Sequence, residues 1–357
     1  MSNALFVIAG KEFADSFRNR TILAIFAIFF AITIIGMIGG ISQYQEIIDS
    51  YNEHLAIIGP EERDLMEGFM DYRPSTMIIF SSVGSLLVTM GALLGITAGF
   101  DLITREREAQ SLKILLSHPV FRDEVINGKA IGAGGALAAV FAATIGISVA
   151  LLLIAGIVPA GDEWSSILIF AISAFLMIIA YFAIALCMSA LSETSGAALI
   201  YTLIIFIILS SLIPVLIQHG AADAIAGEQP KMPQTFYSDM EVVVYGEGEG
   251  EPKMQPIRFD DEEFTKYRED MEAWWSRRQA VIDTASLFSP TMSFEKISTN
   301  LMLKSTFGST RSISAAYSSV SVFGSDDGII AQIIALLAFP AVFFGIAYIR
   351  FMRMDLR

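Results

Sequence analysis

The sequence contains a single cysteine, Cys187, in 357 residues. No intramolecular disulfide can form, so whatever lies outside a membrane must fold without a covalent staple. Charge is also scarce. Asp, Glu, Lys and Arg make up 17% of the chain, against about a quarter in ordinary soluble domains. The three histidines, His54, His118 and His219, stand far apart and fall in no metal-ligand spacing, so no resident metal is expected.

Catalytic motifs are missing too. There is no GxxxxGK[ST] loop. The nearest stretch, "NGKAIG", has Ala130 after Lys129 and Asp123 where the first glycine would stand. Without that loop no backbone cradle exists for nucleotide phosphates, so this chain is expected to be a non-enzyme with no cofactor of its own. GxSxG, HExxH and CxxC are likewise absent. The net charge of −14 argues against nucleic acid as a partner.

The missing charge is concentrated in six runs. Residues 22–41, 76–100, 131–158, 167–191, 194–217 and 329–349 contain no Asp, Glu, Lys, Arg or His. Each is long enough to cross a bilayer as a helix, which takes about 20 apolar residues. Lipid offers backbone groups no partners, so helix is the expected form. The expected fold is an all-α polytopic membrane protein with six transmembrane helices. The first run is longer than a signal-peptide core and lacks a small-residue cleavage site, so it reads as an anchor. Ion-driven carriers place ionisable residues at membrane depth, and these runs have none.

Basic residues fix the expected orientation, because they favour the cytoplasmic side of short loops. The N-terminal arm, residues 101–130 and the C-terminal tail hold 11 basic residues against 9 acidic ones with the "SETS" link included. The other side holds 12 against 28. Both termini are therefore expected in the cytoplasm of a multi-pass plasma-membrane protein.

The organisation follows. Residues 1–20 place Leu5, Ile8, Phe13 and Phe17 at helical spacing among Lys11, Glu12 and Arg18, which suits an amphipathic interfacial helix; a frayed terminus is the alternative. Residues 21–217 carry spans one to five, with an external, helix-patterned loop at 42–75 in which Ile47, Ile48, Tyr51 and Leu55 share a face. Residues 218–328 form an extracytoplasmic domain, and 329–357 the last span and tail. That domain reads as small and mixed α/β. Alternation at 242–245 followed by Gly246, Gly248 and Gly250 suggests a strand hairpin. "DDEEFTKYREDMEAWWSRRQAVI" reads as a helix with Asp260 as cap and Glu263 three residues on. "LFSPTMSFEKISTNLML" reads as an amphipathic helix after Pro290. Trp274 and Trp275 either fill the domain's core or anchor in headgroups. Pro214 and Pro340 are expected to kink their spans.

Gly91, Gly95 and Gly99 recur every fourth residue on one helical face. Small residues let helices approach closely in lipid, so these are helix-packing candidates, within the bundle or across a dimer; lining a substrate path is the alternative.

One charged block interrupts the apolar runs: "DLITREREAQSLKILLSHPVFRDEVINGKAIG", from Asp101. Leu112, Leu115, Leu116 and Val120 fall at helical spacing, Arg105, Glu106, Arg107, Glu108 and Lys113 give a wet face, and Pro119 breaks the pattern. The result is a helix–break–helix elbow, either resting on headgroups or docking a cytoplasmic partner.

This block resembles the loop after the second span of ABC-2 type transporter permeases. The resemblance rests on Arg105–Glu106, Leu112, Leu115–Leu116–Ser117, Pro119, Arg122 and Gly128–Lys129, with Gln110 and Ser111 where that family usually has Gly-Thr. The layout of six spans, both ends inside and a large loop before the last span agrees. The outer loop and "LFSPTMSF" most resemble the subgroup that includes the permease for copper-site maturation of nitrous oxide reductase. The resemblance implies an ABC exporter permease that pairs with a second permease copy, as homodimer or related heterodimer, in membrane lipid. It implies a separate ATP-binding subunit, carrying ATP and Mg, docked on the elbow. The ATPase-coupling positions it implies are Arg105, Glu106, Glu108, Ser111, Leu112, Leu115, Leu116 and Pro119. Two other functions fit the residues: an ATPase-driven force relay acting on an extracytoplasmic partner without net transport, and an ion-driven carrier or receptor.

Overall fold

A computed structural model describes residues 2–57, 74–110, 121–161, 163–232, 262–307 and 326–354. The described residues form helices and connecting turns, with no strand among them. In chain order the helices are α1 (Ser2–Arg18), α2 (Arg20–Ile57), α3 (Met77–Gly99), α4 (Thr104–Glu108), α5 (Arg122–Ile154), α6 (Glu163–Leu191), α7 (Ser195–Ala226), α8 (Glu262–Ser286), α9 (Pro290–Phe307) and α10 (Asp326–Met352). Six of them are long and apolar enough to cross a membrane: α2, α3 with α4, α5, α6, α7 and α10.

The axis of the bundle is α6. Phe170, Ala174, Met177, Ile178 and Tyr181 along it are fully buried, and α3 and α10 pack closely on it. The reason is written on α3. A Cβ at Gly95 would collide with the Ile178 carbonyl oxygen, and one at Gly99 would stand 2.6 Å from the Phe182 carbonyl oxygen. At Gly91 it would meet the Ile178 side chain at 3.2 Å. Only a bare backbone allows α3 and α6 this close, and close backbones are how helices hold together in lipid. The glycine face is thus spent on a contact within the chain.

Helix α1 and the end of α10 both meet the start of α5 at one end of the bundle, here called basal. There Arg122, at the start of α5, donates to the carbonyls of Met352 and Met354 at the end of α10. At the opposite, distal end Glu163 ties two helix starts together. One oxygen accepts from the Ser75 hydroxyl at 2.6 Å and the Thr76 N–H at 2.9 Å; the other accepts from the Ala160 N–H at 2.8 Å. A carboxylate on otherwise orphaned N–H groups is the favourable arrangement at a helix start.

Several sequence expectations change. The helix expected after the first charge-free run is continuous with it: α2 runs unbroken to Ile57, carrying Ile47, Ile48 and Tyr51. The stretch beginning at Pro60 lies outside the described residues. So do Asp260 and the strand pattern at 242–245. The mixed α/β expectation for 218–328 is corrected: its described parts are helical. Moreover, α9 is not an outlying helix. Phe294 and Ile297 are fully buried, Phe294 meets Phe170 of α6 at 5.4 Å, and α9 packs on α3, α6 and α10. Apolar positions on α9 fill the distal half of the bundle, and α8–α9 form a helical hairpin whose tip is inserted among the spans. Ser289 sits before Pro290 and its hydroxyl accepts from the Met292 N–H at 3.3 Å, a favoured pairing of cap and N1 proline. The two tryptophans divide: Trp274 is buried and donates to the Gly227 carbonyl at 2.8 Å, while Trp275 is exposed.

Pro214 does not simply kink α7. The helix loosens into π turns at Ile208–Leu212 and Ile217–Ala221 on either side of it. Proline lacks an N–H and crowds the carbonyl four residues back; a widened turn absorbs both. Pro340 is carried inside α10, which runs without a break in helix from Asp326 to Met352.

Candidate functional site: a charged junction under the elbow

The described chain enters the elbow at Gln110 and leaves it at Phe121. Gln110 has φ 53°, a left-handed conformation that costs a residue with a Cβ roughly 1–2 kcal/mol. It occupies the position where the resembling family usually has glycine, and the backbone shows why glycine suits it.

On one side of the entry strut, α4, lies a buried ion cluster. Lys129 of α5 is 1% exposed. Its Nζ stands 2.5 Å from Glu12 Oε1 of α1 and 2.8 Å from Glu106 Oε1 of α4. Arg105 reaches Glu12 at 4.0 Å and Asp101 at 3.8 Å. Desolvating an ammonium is costly, and two carboxylates at contact distance are what makes it tolerable. The approach is local in origin. A Cβ at Gly128 would meet Ile8 at 2.9 Å, and one at Gly132 would strike the Ala9 carbonyl oxygen. These glycines let α1 lie directly on α5, which brings Glu12 over Lys129.

On the other side, α4 is bound to the turn between α6 and α7. The N–H groups of Ile103 and Thr104 donate to the Ser189 hydroxyl at 3.1 and 3.2 Å. Arg107 donates to the Ser192 carbonyl at 3.2 Å. Glu108 Oε1 accepts the Ser195 N–H at 2.7 Å, and the Ser195 hydroxyl stands 3.0 Å from Glu108 Oε2 and 2.9 Å from Thr104 Oγ1. Glu108 therefore caps the first turn of α7, beside Thr194, whose hydroxyl accepts from the Ala197 N–H.

The elbow's exit is held as well, by Arg122 on the end of α10. Its two ends thus grip α1, α5, α6, α7 and α10. A displacement of the elbow relative to the membrane would reach all of them through charge-assisted or buried hydrogen bonds.

Of the coupling positions expected from sequence, Arg105, Glu106 and Glu108 converge here. Ser111, Leu112, Leu115, Leu116 and Pro119 lie outside the described residues. Gly91, Gly95 and Gly99 are elsewhere, on the α3–α6 seam. Sequence reasoning overlooked Glu12, Lys129, Ser189 and Ser195. Lys129 carried a signal: a lone cation between Gly128 and Gly132 at the mouth of an apolar run requires a carboxylate partner if it is buried.

Six helices long and apolar enough to cross a membrane, joined at one end by a polar junction, mark a multi-pass membrane protein. The chain belongs to the ABC-2 family of transporter proteins, whose family description, "ABC-2 family transporter protein", matches residues 6–356. Among curated proteins it is similar to the probable ABC transporter permease protein NosY of Pseudomonas aeruginosa, 32% identical over 155 residues, covering 43% of this chain and 47% of that protein. The protein of the same name from Stutzerimonas stutzeri is 31% identical over 153 residues, covering 43% and 46%. The alignments thus span just under half the length of these curated relatives. The membership and these relatives make the chain a membrane permease subunit of an ABC transporter.

Proposed function

We propose that this permease works in an ATP-driven exporter, and that a separate ATP-binding subunit docks on the elbow of residues 101–130. ATP and Mg belong to that subunit, which performs the hydrolysis. The basal end faces the cytoplasm, in keeping with its surplus of basic residues. The observation that carries the reading is the junction: Glu106 and Glu108, on either side of one helical turn, fasten the elbow's entry to α5 and to α7 respectively. A partner pulling on the elbow therefore tilts spans without needing a catalytic group in this chain. By their spacing in the sequence Leu112, Leu115 and Leu116 are the elbow's candidate contacts for the ATP-binding subunit, and α8 and α9 belong to an external module. A second permease copy completes the assembly. The largely unburied apolar side of α7, with Ile200, Ile204, Ile207 and Leu212 exposed, is available to it.

The test is reconstitution of the permease with its ATP-binding subunit in vesicles. Net ATP-dependent flux that survives collapse of ion gradients supports the exporter. Hydrolysis coupled to conformational change without flux favours a force relay. Flux that stops when ion gradients collapse, with ATP still present, rejects both.

A further inference from the structure

Helix α7 is held at both ends, with its apolar side largely unburied between them. Glu108 caps its first turn, and Trp274 of α8 donates to the Gly227 carbonyl just past its last residue. Midway the backbone leaves the α pattern. The Ile208 N–H bonds back four residues to the Ile204 carbonyl, whereas the Ile213 N–H bonds back five, to the Ile208 carbonyl. One step on in that register, residue 214 is the donor and the Leu209 carbonyl the acceptor. Residue 214 is proline and has no N–H. The widened turn therefore strands the Leu209 carbonyl inside a span, where lipid offers no partner.

The missing donor comes from another element. The Ser289 hydroxyl, at the tip of the α8–α9 hairpin, donates to the Leu209 carbonyl at 2.7 Å. A hydroxyl has one proton to give and two lone pairs to offer. The proton of Ser289 goes to a carbonyl, which only accepts, so in its 2.8 Å contact with Thr291 the donor is Thr291. Ser289 also accepts the Met292 N–H, which completes its bonding. Ser289 and Thr291 are both buried, so no bulk water competes for the carbonyl.

We propose that the tip of the α8–α9 hairpin is a latch on α7: Ser289 stands in for the N–H that Pro214 lacks and holds the widened turn at Ile208–Leu212. The seating of the hairpin and the shape of α7 are then one equilibrium. A hairpin drawn outward leaves the Leu209 carbonyl unpaired, and α7 must change its pairing around Pro214 to satisfy it. A load applied to α8 is thereby registered in the middle of a span.

The latch uses only the chain's own bonds and does not rest on the ATPase partner, so the full chain alone, in lipid nanodiscs, tests it. Wild type, Ser289→Ala, Pro214→Ala and the double variant form a cycle. Ser289→Ala strands the carbonyl and lowers the thermal midpoint. Pro214→Ala restores a backbone N–H, so in that background Ser289→Ala loses at least half of its effect. Loss of the α9 cap is common to both backgrounds and cancels in the comparison. Ser289→Thr, which keeps a hydroxyl, stays close to wild type. Equal shifts in the two backgrounds overturn the proposal and leave Ser289 a helix cap only. If Ser289→Ala alone does not fold, its recovery by Pro214→Ala supports the latch, and failure in both backgrounds overturns it. The shape of α7 is read separately, from nitroxides at Ile200→Cys and Ile225→Cys in a Cys187→Ala background; both positions are exposed, one on either side of the joint. Ser289→Ala is expected to shift or broaden their distance distribution when Pro214 is present and to leave it unchanged in Pro214→Ala. An unchanged distribution with Pro214 present overturns the coupling of hairpin to helix.

Discussion

Lys129 Nζ lies 2.5 Å from Glu12 Oε1, joining a residue of the N-terminal helix to one 117 positions later at the base of the third span. With Glu106 at 2.8 Å on its other side, this ammonium is bracketed by two carboxylates. That bracket fixes the elbow's entry to the bundle.

Lys129→Met leaves Glu12 and Glu106 facing each other in a buried site without their cation. Removing one partner of a buried ion group costs about 3–5 kcal/mol, so the variant is expected to lose most of its thermal stability margin in detergent. Combining it with Glu12→Gln and Glu106→Gln, which removes the stranded charges, is expected to recover part of that loss. Thermal unfolding of the three proteins checks this; equal midpoints for wild type and Lys129→Met would show the cluster to be inert.

Glu108→Ala removes the carboxylate cap of α7. Loss of a cap costs about 0.5–2 kcal/mol, and here the cost falls on one helix end. Hydrogen–deuterium exchange should quicken at the amides of Ser195 and its neighbours and stay unchanged along α6. Uniform change across α6 and α7 would mean that Glu108 acts globally instead.

Gln110→Gly should raise stability by about 1 kcal/mol, because glycine adopts a positive φ without the penalty borne by a Cβ. Gln110→Val should lower it, since β-branching makes that backbone conformation worse still. Denaturation of both variants decides the matter: a destabilised glycine variant contradicts the left-handed geometry.

Gly95→Leu drives a side chain into the backbone of α6 at Ile178, where Phe182 N would stand 3.0 Å even from a bare Cβ. The seam must open, so folding yield and thermal midpoint should both fall. Gly134→Leu, on a helix surface with nothing near its Cβ position, is the matched control and should be tolerated.

The spans were legible in sequence because lipid allows apolar helices and little else; of the elbow, the charged entry at Arg105–Glu108 falls within the described residues and Leu112–Val120 does not. Gly91, Gly95 and Gly99 announced a close contact, though periodicity alone left open whether the partner was α6 or a second chain. The Glu12–Lys129 pair was not legible, because nothing local tells a carboxylate which cation it will meet across 117 residues. The placement of α9 was misjudged for another reason. Polar residues such as Ser289, Thr291 and Ser293 do not tell an external helix from a buried one; here Ser289 bonds to Thr291 and to α7, and Ser293 to α8, within the bundle. Around Pro214, the sequence showed that the helix must yield, but not that it would yield by widening.

Charge reversal at Glu106 would act on more than a docked partner. With Glu106 facing Lys129, reversal also sets two cations together in a buried site, so the elbow's own surface makes the cleaner probe. The decisive measurement is co-purification of the tagged permease with its ATP-binding subunit, with hydrolysis assayed on the product, for the wild type, Leu115→Asp and Arg278→Glu at the distal end. The account predicts that Leu115→Asp loses the ATPase or its coupled hydrolysis while Arg278→Glu keeps both. Full retention of the ATPase and of coupled hydrolysis by Leu115→Asp, or nucleotide turnover by the permease alone, would contradict it.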